Sequence, residues 1–247
     1  ISAVLKKEGH SVDLIFLTKE FWERFEEKTL NDIVNLTKKS DLIGISLMSN
    51  FWDNAVQLTQ KLKQHYDTPI MWGGTHPTVR PNECLEYADM VCISESEQPL
   101  VELTRKMTKG ENYFDIKGMG FKTNGKIINN GHGPLPGSKD SMFKHLDEIP
   151  HQDYDWNNHY ILKGEDVLKM DMETLNDQNR TYMTMPTRGC PYACTFCVNS
   201  EFLKMYPHQK PIRMRTVDNI IGELKSVKDD MPFVKNILFN DDAFFLM

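Results

Sequence analysis

Three thiols carry the clearest chemistry in this sequence. Cys190, Cys194 and Cys197 stand at C-x3-C-x2-C spacing within Thr187-Arg188-Gly189-Cys190-Pro191-Tyr192-Ala193-Cys194-Thr195-Phe196-Cys197. Soft thiolates this close together hold zinc or an iron-sulfur cluster. A closed structural zinc site takes four ligands and usually pairs one short cysteine spacing with a second. No second pair follows, so a zinc knuckle would need His208 to complete it. A cubane held by three cysteines leaves one iron without a protein ligand, and that iron can bind and activate a small molecule. The remaining cysteines, Cys84 and Cys92, read as core packing.

The elements around this loop must come from a globular chain. Its 247 residues are 40% hydrophobic and 26% charged, enough for one large or two ordinary domains. A net charge of -6 gives no general attraction to phosphate backbones, which argues against nonspecific nucleic-acid binding. No apolar run is long enough to span a membrane and no signal peptide opens the chain. Five cysteines, three of them clustered, do not form a disulfide framework and fit a reducing, cytoplasmic compartment.

The opening, from Ile1 to His10, reads as the tail of an amphipathic helix closed by Gly9, so a first strand is expected to precede it and the sequence reads as a fragment. Strands are expected at Val12 to Leu17, Asp41 to Met48, Pro69 to Trp72 and Met90 to Ile93. Helices are expected near Leu30 to Lys39, Asp53 to Tyr66, Pro81 to Tyr87 and Glu97 to Met107. The run Asp41 to Met48 is continuously apolar, as in a strand covered on both faces. This alternation predicts a parallel, doubly wound α/β sheet, with ligands beyond the carboxyl ends of its strands. Asn124-Gly125 joins Ile116 to Phe121 with Lys126 to Asn130 as a hairpin. Residues 131–180, rich in Gly, Pro, Asp and Asn, read as a linker. Thr181 to Pro186 is the expected first strand of a second domain and delivers the cysteine loop at its carboxyl end. A helix over Val217 to Val227, with Val217, Ile220, Ile221, Leu224 and Val227 on one face, leads to a strand at Asn236 to Phe239. Arg213 and Arg215 read as a solvated basic turn.

The cysteine loop, with Phe196 before its last thiol, resembles the signature of the radical S-adenosylmethionine enzymes. The resemblance implies a 4Fe-4S cluster on Cys190, Cys194 and Cys197. Its open iron would chelate the amino and carboxylate groups of S-adenosylmethionine, and an electron from it would cleave the sulfonium to a 5'-deoxyadenosyl radical. Phe196, Asp241 and Asp242 match cofactor-contacting positions, and a carboxylate suits a cationic amino group. Three N-terminal loops resemble the cobalamin-binding domain of one subfamily: Ser46, Met48 and Ser49; Gly73, Gly74, Thr75 and His76; and Ser94 with Glu95. The Gly pair lets backbone approach a bulky flat ligand. Relatives tend to carry Gly-Glu-Gly-Glu where this chain has Ser94-Glu95-Ser96-Glu97, and no Asp-x-His-x-x-Gly motif supplies a lower cobalt ligand. His10 and His76 therefore read as turn residues. Leu146-Asp147-Glu148-Ile149-Pro150 resembles the subfamily's linker.

The implied architecture is a Rossmann-like cobalamin domain at 1–130 lacking its first strand, a linker at 131–180, and the start of a radical S-adenosylmethionine (β/α) barrel at 181–247. The implied activity is methyl transfer to an unactivated carbon or phosphorus of a small-molecule substrate, with flavodoxin or ferredoxin as electron donor and the fragment itself inactive. Cyclisation or rearrangement is the in-class alternative; a non-catalytic cofactor-binding or electron-transfer module is the other.

Overall fold

The computed structural model describes residues 1–178 and 180–244 and divides into two compact units, Ile1–Leu135 with Asn158–Lys169, and Pro136–Asn157 with Met170–Met247. The first unit opens with α1 (Ser2–Lys7), closed by Gly9 at φ 89°. There follow β1 (Leu14–Phe16), α2 (Glu27–Thr37), β2 (Ile43–Ser46), α3 (Trp52–Lys63), β3 (Ile70–Gly73), the short α4 (Thr75–Val79) and α5 (Pro81–Cys84), β4 (Met90–Cys92), α6 (Glu97–Lys109), β5 (Met119–Thr123) and β6 (Lys126–Asn129). Strands β2 to β6 form one sheet in sequence order. The first three are parallel, and the β5–β6 hairpin adds antiparallel to β4. Asn124 and Gly125, at φ 48° and 73°, make the turn this dipeptide is built for.

The apolar stripe of α6 explains the core. Leu100 and Leu103 pack on Met71, Met90, Cys92, Met119 and Phe121, the inward residues of β3, β4 and β5. Gly110, left-handed at φ 66°, stops the helix. Burial pushes the thiols of Cys84 and Cys92 up to about 12, which leaves them inert as core residues.

Two expectations are corrected in this unit. Strand β2 is an edge strand on which only Ile43 is fully buried, so its apolar run is not covered on both faces. Strand β1 stands outside the five-stranded sheet. It pairs in parallel with β7 (His159–Lys163), which turns at Gly164 into antiparallel β8 (Asp166–Lys169). The stretch read as linker therefore returns a hairpin to the first unit, where the Thr29 hydroxyl donates to the Glu165 carbonyl at 2.7 Å.

The second unit holds α7 (Met172–Gln178), β9 (Thr181–Thr184), β10 (Thr187–Arg188), α8 (Asn199–Met205), β11 (Arg213–Met214), α9 (Val217–Asp230) and β12 (Asn236–Phe239). Strands β9 and β12 pair in parallel around the crossover helix α9, whose Val227 packs with Tyr182 and Met231. Helix α9 starts at Thr216, whose hydroxyl accepts from the Asn219 amide; the Asp147 carboxylate in turn accepts from the Thr216 amide and hydroxyl. The helix face differs from the expected one. Val217 is 73% exposed and Ile221 is exposed, while Glu223 is buried at 1%. No closed barrel forms among the described residues.

Candidate cofactor-binding sites

In the first unit the carboxyl ends of β2, β3 and β4 bring the three glycine- and serine-bearing loops together. The Leu47 amide donates to the Gly73 carbonyl at 3.0 Å and the His76 amide to the Leu47 carbonyl at 3.4 Å. The Thr78 hydroxyl donates to the Gly74 carbonyl at 2.7 Å and accepts from the Ser94 amide at 2.9 Å. Gly74 sits at φ 97°, and a Cβ there would lie 2.7 Å from the Leu47 carbonyl oxygen and 3.1 Å from the Ser46 hydroxyl. Only glycine lets the loop after β3 lie this close to the loop after β2. Ser94 takes φ 76° without being glycine, a left-handed conformation that costs a side-chain-bearing residue about 1–2 kcal/mol.

Ser46, Met48 and Ser49 are exposed along this edge, and Thr75, Ser94 and Glu95 are half-buried. His76 is 9% exposed. Its Nδ1 and the Ser49 hydroxyl lie 2.8 Å apart, its ring sits 4.8 Å from that of Trp52, and its Nε2 is buried without a hydrogen-bond partner. Burial and the nearby Arg80 lower its pKa, against an opposing effect of Glu83, so the imidazole is held neutral. Its hydrogen bond joins two loops. The Ser49–His76 pair could not be read from the sequence, because its members lie 27 residues apart on separate loops.

In the second unit the loop of Cys190, Cys194 and Cys197 follows β10, which pairs with β11 at Thr187↔Met214 and Arg188↔Arg213. Gly189, at φ 94°, makes the turn into it, where a Cβ would be driven into the Pro211 carbonyl oxygen. The Cys197 amide donates to the Cys194 carbonyl at 3.1 Å, and the Ser200 hydroxyl to the Cys197 carbonyl at 2.7 Å. All three thiols are free; Cys194 is exposed and the other two half-buried. Phe196 is 92% exposed. Among the described residues, no three His, Cys, Asp or Glu side chains converge closely enough to hold a metal ion. The donor set still fits an iron-sulfur cluster by type: three uncommitted soft thiols on one accessible loop. His208 is exposed and is not gathered with them.

Asp241, at the end of β12, reaches the base of this loop. Its Oδ1 accepts from the Thr187 amide at 2.8 Å and hydroxyl at 3.0 Å, while Oδ2 is buried without a partner. Asp242 is exposed.

The expected solvated basic turn is corrected. Arg213 is 9% exposed and donates to the Pro136 carbonyl at 2.7 Å. Arg215 donates from Nη1 to Glu223 at 2.8 Å and to Thr184 at 3.1 Å. Glu223 also accepts from the Tyr182 and Thr184 hydroxyls, each at 2.8 Å. Burial opposes its charge, but the bonds from Arg215, Thr184 and Tyr182 together hold the carboxyl below its usual range. Burial first, then the Glu223 carboxylate, push the Tyr182 hydroxyl strongly up.

The family model of the B12 binding domain matches residues 1–104. The chain is 30% identical over 229 residues to the uncharacterized methyltransferase PH0819 of Pyrococcus horikoshii, a match spanning 90% of this chain and 44% of that protein. It is 25% identical over 222 residues to the anaerobic magnesium-protoporphyrin IX monomethyl ester cyclase of Rubrivivax gelatinosus, spanning 87% of this chain and 36% of that protein. Its fold is similar to that of the radical S-adenosylmethionine methyltransferase TsrM of Kitasatospora setae, solved with cobalamin and a [4Fe-4S] cluster bound. That likeness has a TM-score of 0.67 at 17% identity, over 99% of this chain and 44% of the other. The chain thus spans less than half the length of the relatives it matches. Among the described residues no helix is long and apolar enough to cross a membrane. With a B12 binding domain ahead of the cysteine loop and a likeness along nearly its whole length, the chain resembles the cobalamin-dependent radical S-adenosylmethionine enzymes.

Proposed function

We propose that this chain supplies the cobalamin site and the cluster loop of a methyltransferase acting on a small molecule at an unactivated carbon or phosphorus. The observation that carries the reading is the set of three free thiols, Cys190, Cys194 and Cys197, on one loop held at its base by Asp241. When bound, the cluster would supply an electron to S-adenosylmethionine and cobalamin would supply a transferable methyl group. The residues of the chain bind and orient. Gly189 shapes the entry to the loop, and Asp241 fixes Thr187, three residues before the first ligand. The unpartnered Oδ2 of Asp241 suits the cationic amino group of S-adenosylmethionine, with exposed Phe196 and Asp242 as further contacts. In the first unit Gly73 and Gly74 offer backbone to the corrin. Ser46, Met48, Ser49, Thr75, Ser94 and Glu95 line that edge, and His76 holds Ser49 rather than cobalt.

The similarity to a cyclase keeps radical cyclisation as a second reading. Full-length protein, reconstituted anaerobically with iron, sulfide and cobalamin and given methyl-labelled S-adenosylmethionine, tests the choice. Label transferred to a small-molecule acceptor supports methyl transfer. Acceptor turnover without label, with deoxyadenosine released, contradicts it in favour of cyclisation.

A further inference from the structure

The turn between β1 and α2 holds two aromatic rings out from the first unit. Trp22 is 66% exposed and Phe21 beside it is exposed as well, their rings meeting edge to face at 4.7 Å. Tryptophan is on average a highly buried residue, so the exposure is informative. The turn is also firmly held. One face of α3 clamps its backbone: the Asn54 side-chain amide donates to the Glu23 carbonyl at 2.7 Å, and the Gln57 side chain accepts from the Phe25 amide and donates to the Phe25 carbonyl, each at 2.9 Å. Arg24 pairs with Asp53, and the Phe25 ring is buried. Helix α3 begins at Trp52, directly after the loop that follows β2. A turn bonded to Asp53 and Asn54 therefore stands at the carboxyl-end edge of the sheet, the edge that also carries exposed Met48.

We propose that Phe21 and Trp22 form a further wall of the corrinoid site, the Trp22 indole packing on the rim of the macrocycle with its N–H directed to a peripheral amide carbonyl. This rests on cobalamin lying at the ends of β2, β3 and β4, and the turn falls within residues 1–104, which the B12 binding domain spans. The chemistry of the turn suits that occupant. Lys19 pairs with Glu23 and Arg24 with Asp53, so the charges around the rings largely cancel. What remains is an apolar surface with one indole donor, which fits a flat, amide-fringed macrocycle better than a nucleic acid or an acidic peptide. Because α3 fixes the turn beforehand, little ordering opposes binding.

The test is equilibrium dialysis of hydroxocobalamin against the chain, with oxidative labelling of the same samples read by mass spectrometry. The parent should bind saturably, and Trp22→Ala about tenfold more weakly, as for a buried aromatic anchor. Trp22→Phe should recover part of the loss, and both variants should melt like the parent because the ring is exposed in the free chain. Cobalamin should protect Trp22 from labelling while exposed Tyr192, in the other unit, labels as before. The labelling is read on the parent itself, so it decides the matter even where a variant folds poorly. Absence of cobalamin binding by the parent would overturn the placing of cobalamin and this wall with it. Saturable binding with equal affinity in Trp22→Ala, or with Trp22 labelled as in the free chain, overturns the wall alone. Self-association of the parent that Trp22→Ala abolishes, at unchanged cobalamin affinity, would assign the turn to a second copy of the chain and overturn it too.

Discussion

Replacing Glu223 by Gln removes one buried charge and leaves the fold of α9 otherwise intact. The carboxylate is 1% exposed and accepts from Arg215, Thr184 and Tyr182 at 2.8 Å each. The amide keeps the volume but leaves the Arg215 guanidinium buried without its counter-charge, and breaking a buried pair from one side costs about 3–5 kcal/mol. Taking the lower end, opening of β9 becomes easier by about 3 kcal/mol. At 1.4 kcal/mol per tenfold, its amides should then exchange with solvent deuterium roughly 100-fold faster. Peptide-level hydrogen exchange reads this directly, with β3 in the other unit as internal reference. The parent also carries a pH limb that the variant lacks. Because the folded pKa of Glu223 is depressed, its stabilisation is fully present above the ordinary glutamate value of about 4.3. It is lost as pH falls through the lower folded value. The double change Arg215→Met with Glu223→Leu should restore part of the protection, since it removes the unpaired buried charge while leaving the Tyr182 and Thr184 hydroxyls without their acceptor. Unchanged exchange in β9, or equal acceleration in β3, would refute the local role assigned to this network.

Other outcomes follow from the same geometry. Ser94→Gly relieves a φ of 76° and should stabilise the first unit by about 0.5–1 kcal/mol, the left-handed cost less the entropy of glycine; a lower urea midpoint would contradict this. His76 has a lowered folded pKa, so the unfolded chain protonates first as pH drops below about 6.5. Stability of the first unit should fall from there, and His76→Gln should flatten that slope in a pH series of denaturant melts. Asp241→Ala removes the Oδ1 acceptor of the Thr187 amide and hydroxyl and should cut iron incorporation on reconstitution by roughly three- to tenfold, equivalent to about one lost hydrogen bond. Iron content equal to that of the parent would remove Asp241 from the loop's support.

What was legible in the sequence was local. Asn124-Gly125 specifies its turn by backbone conformation and the apolar stripe of α6 repeats at helical period, so each could be read in place; the close approach that Gly74 makes, to the Leu47 carbonyl of the neighbouring loop, could not. Pairings between distant residues could not. The parallel match of Leu14–Phe16 with His159–Ile161 joins segments some 145 residues apart, and β7 and β8 lie within a stretch whose Gly, Pro and Asp content masks their alternation. The basic turn misled for the same reason. Arg215 is recognisable as buried only once Glu223, eight residues on, is seen to face inward on a helix whose apolar residues suggested a different face.

The most direct test of the account is the iron and acid-labile sulfide content of the anaerobically reconstituted chain, measured beside a variant in which Cys190, Cys194 and Cys197 are all Ala. The account predicts about four irons and four sulfides per chain, as a cubane requires, and close to none in the variant. Equal content in the two proteins would contradict it, as would uptake of zinc in place of iron by the parent chain.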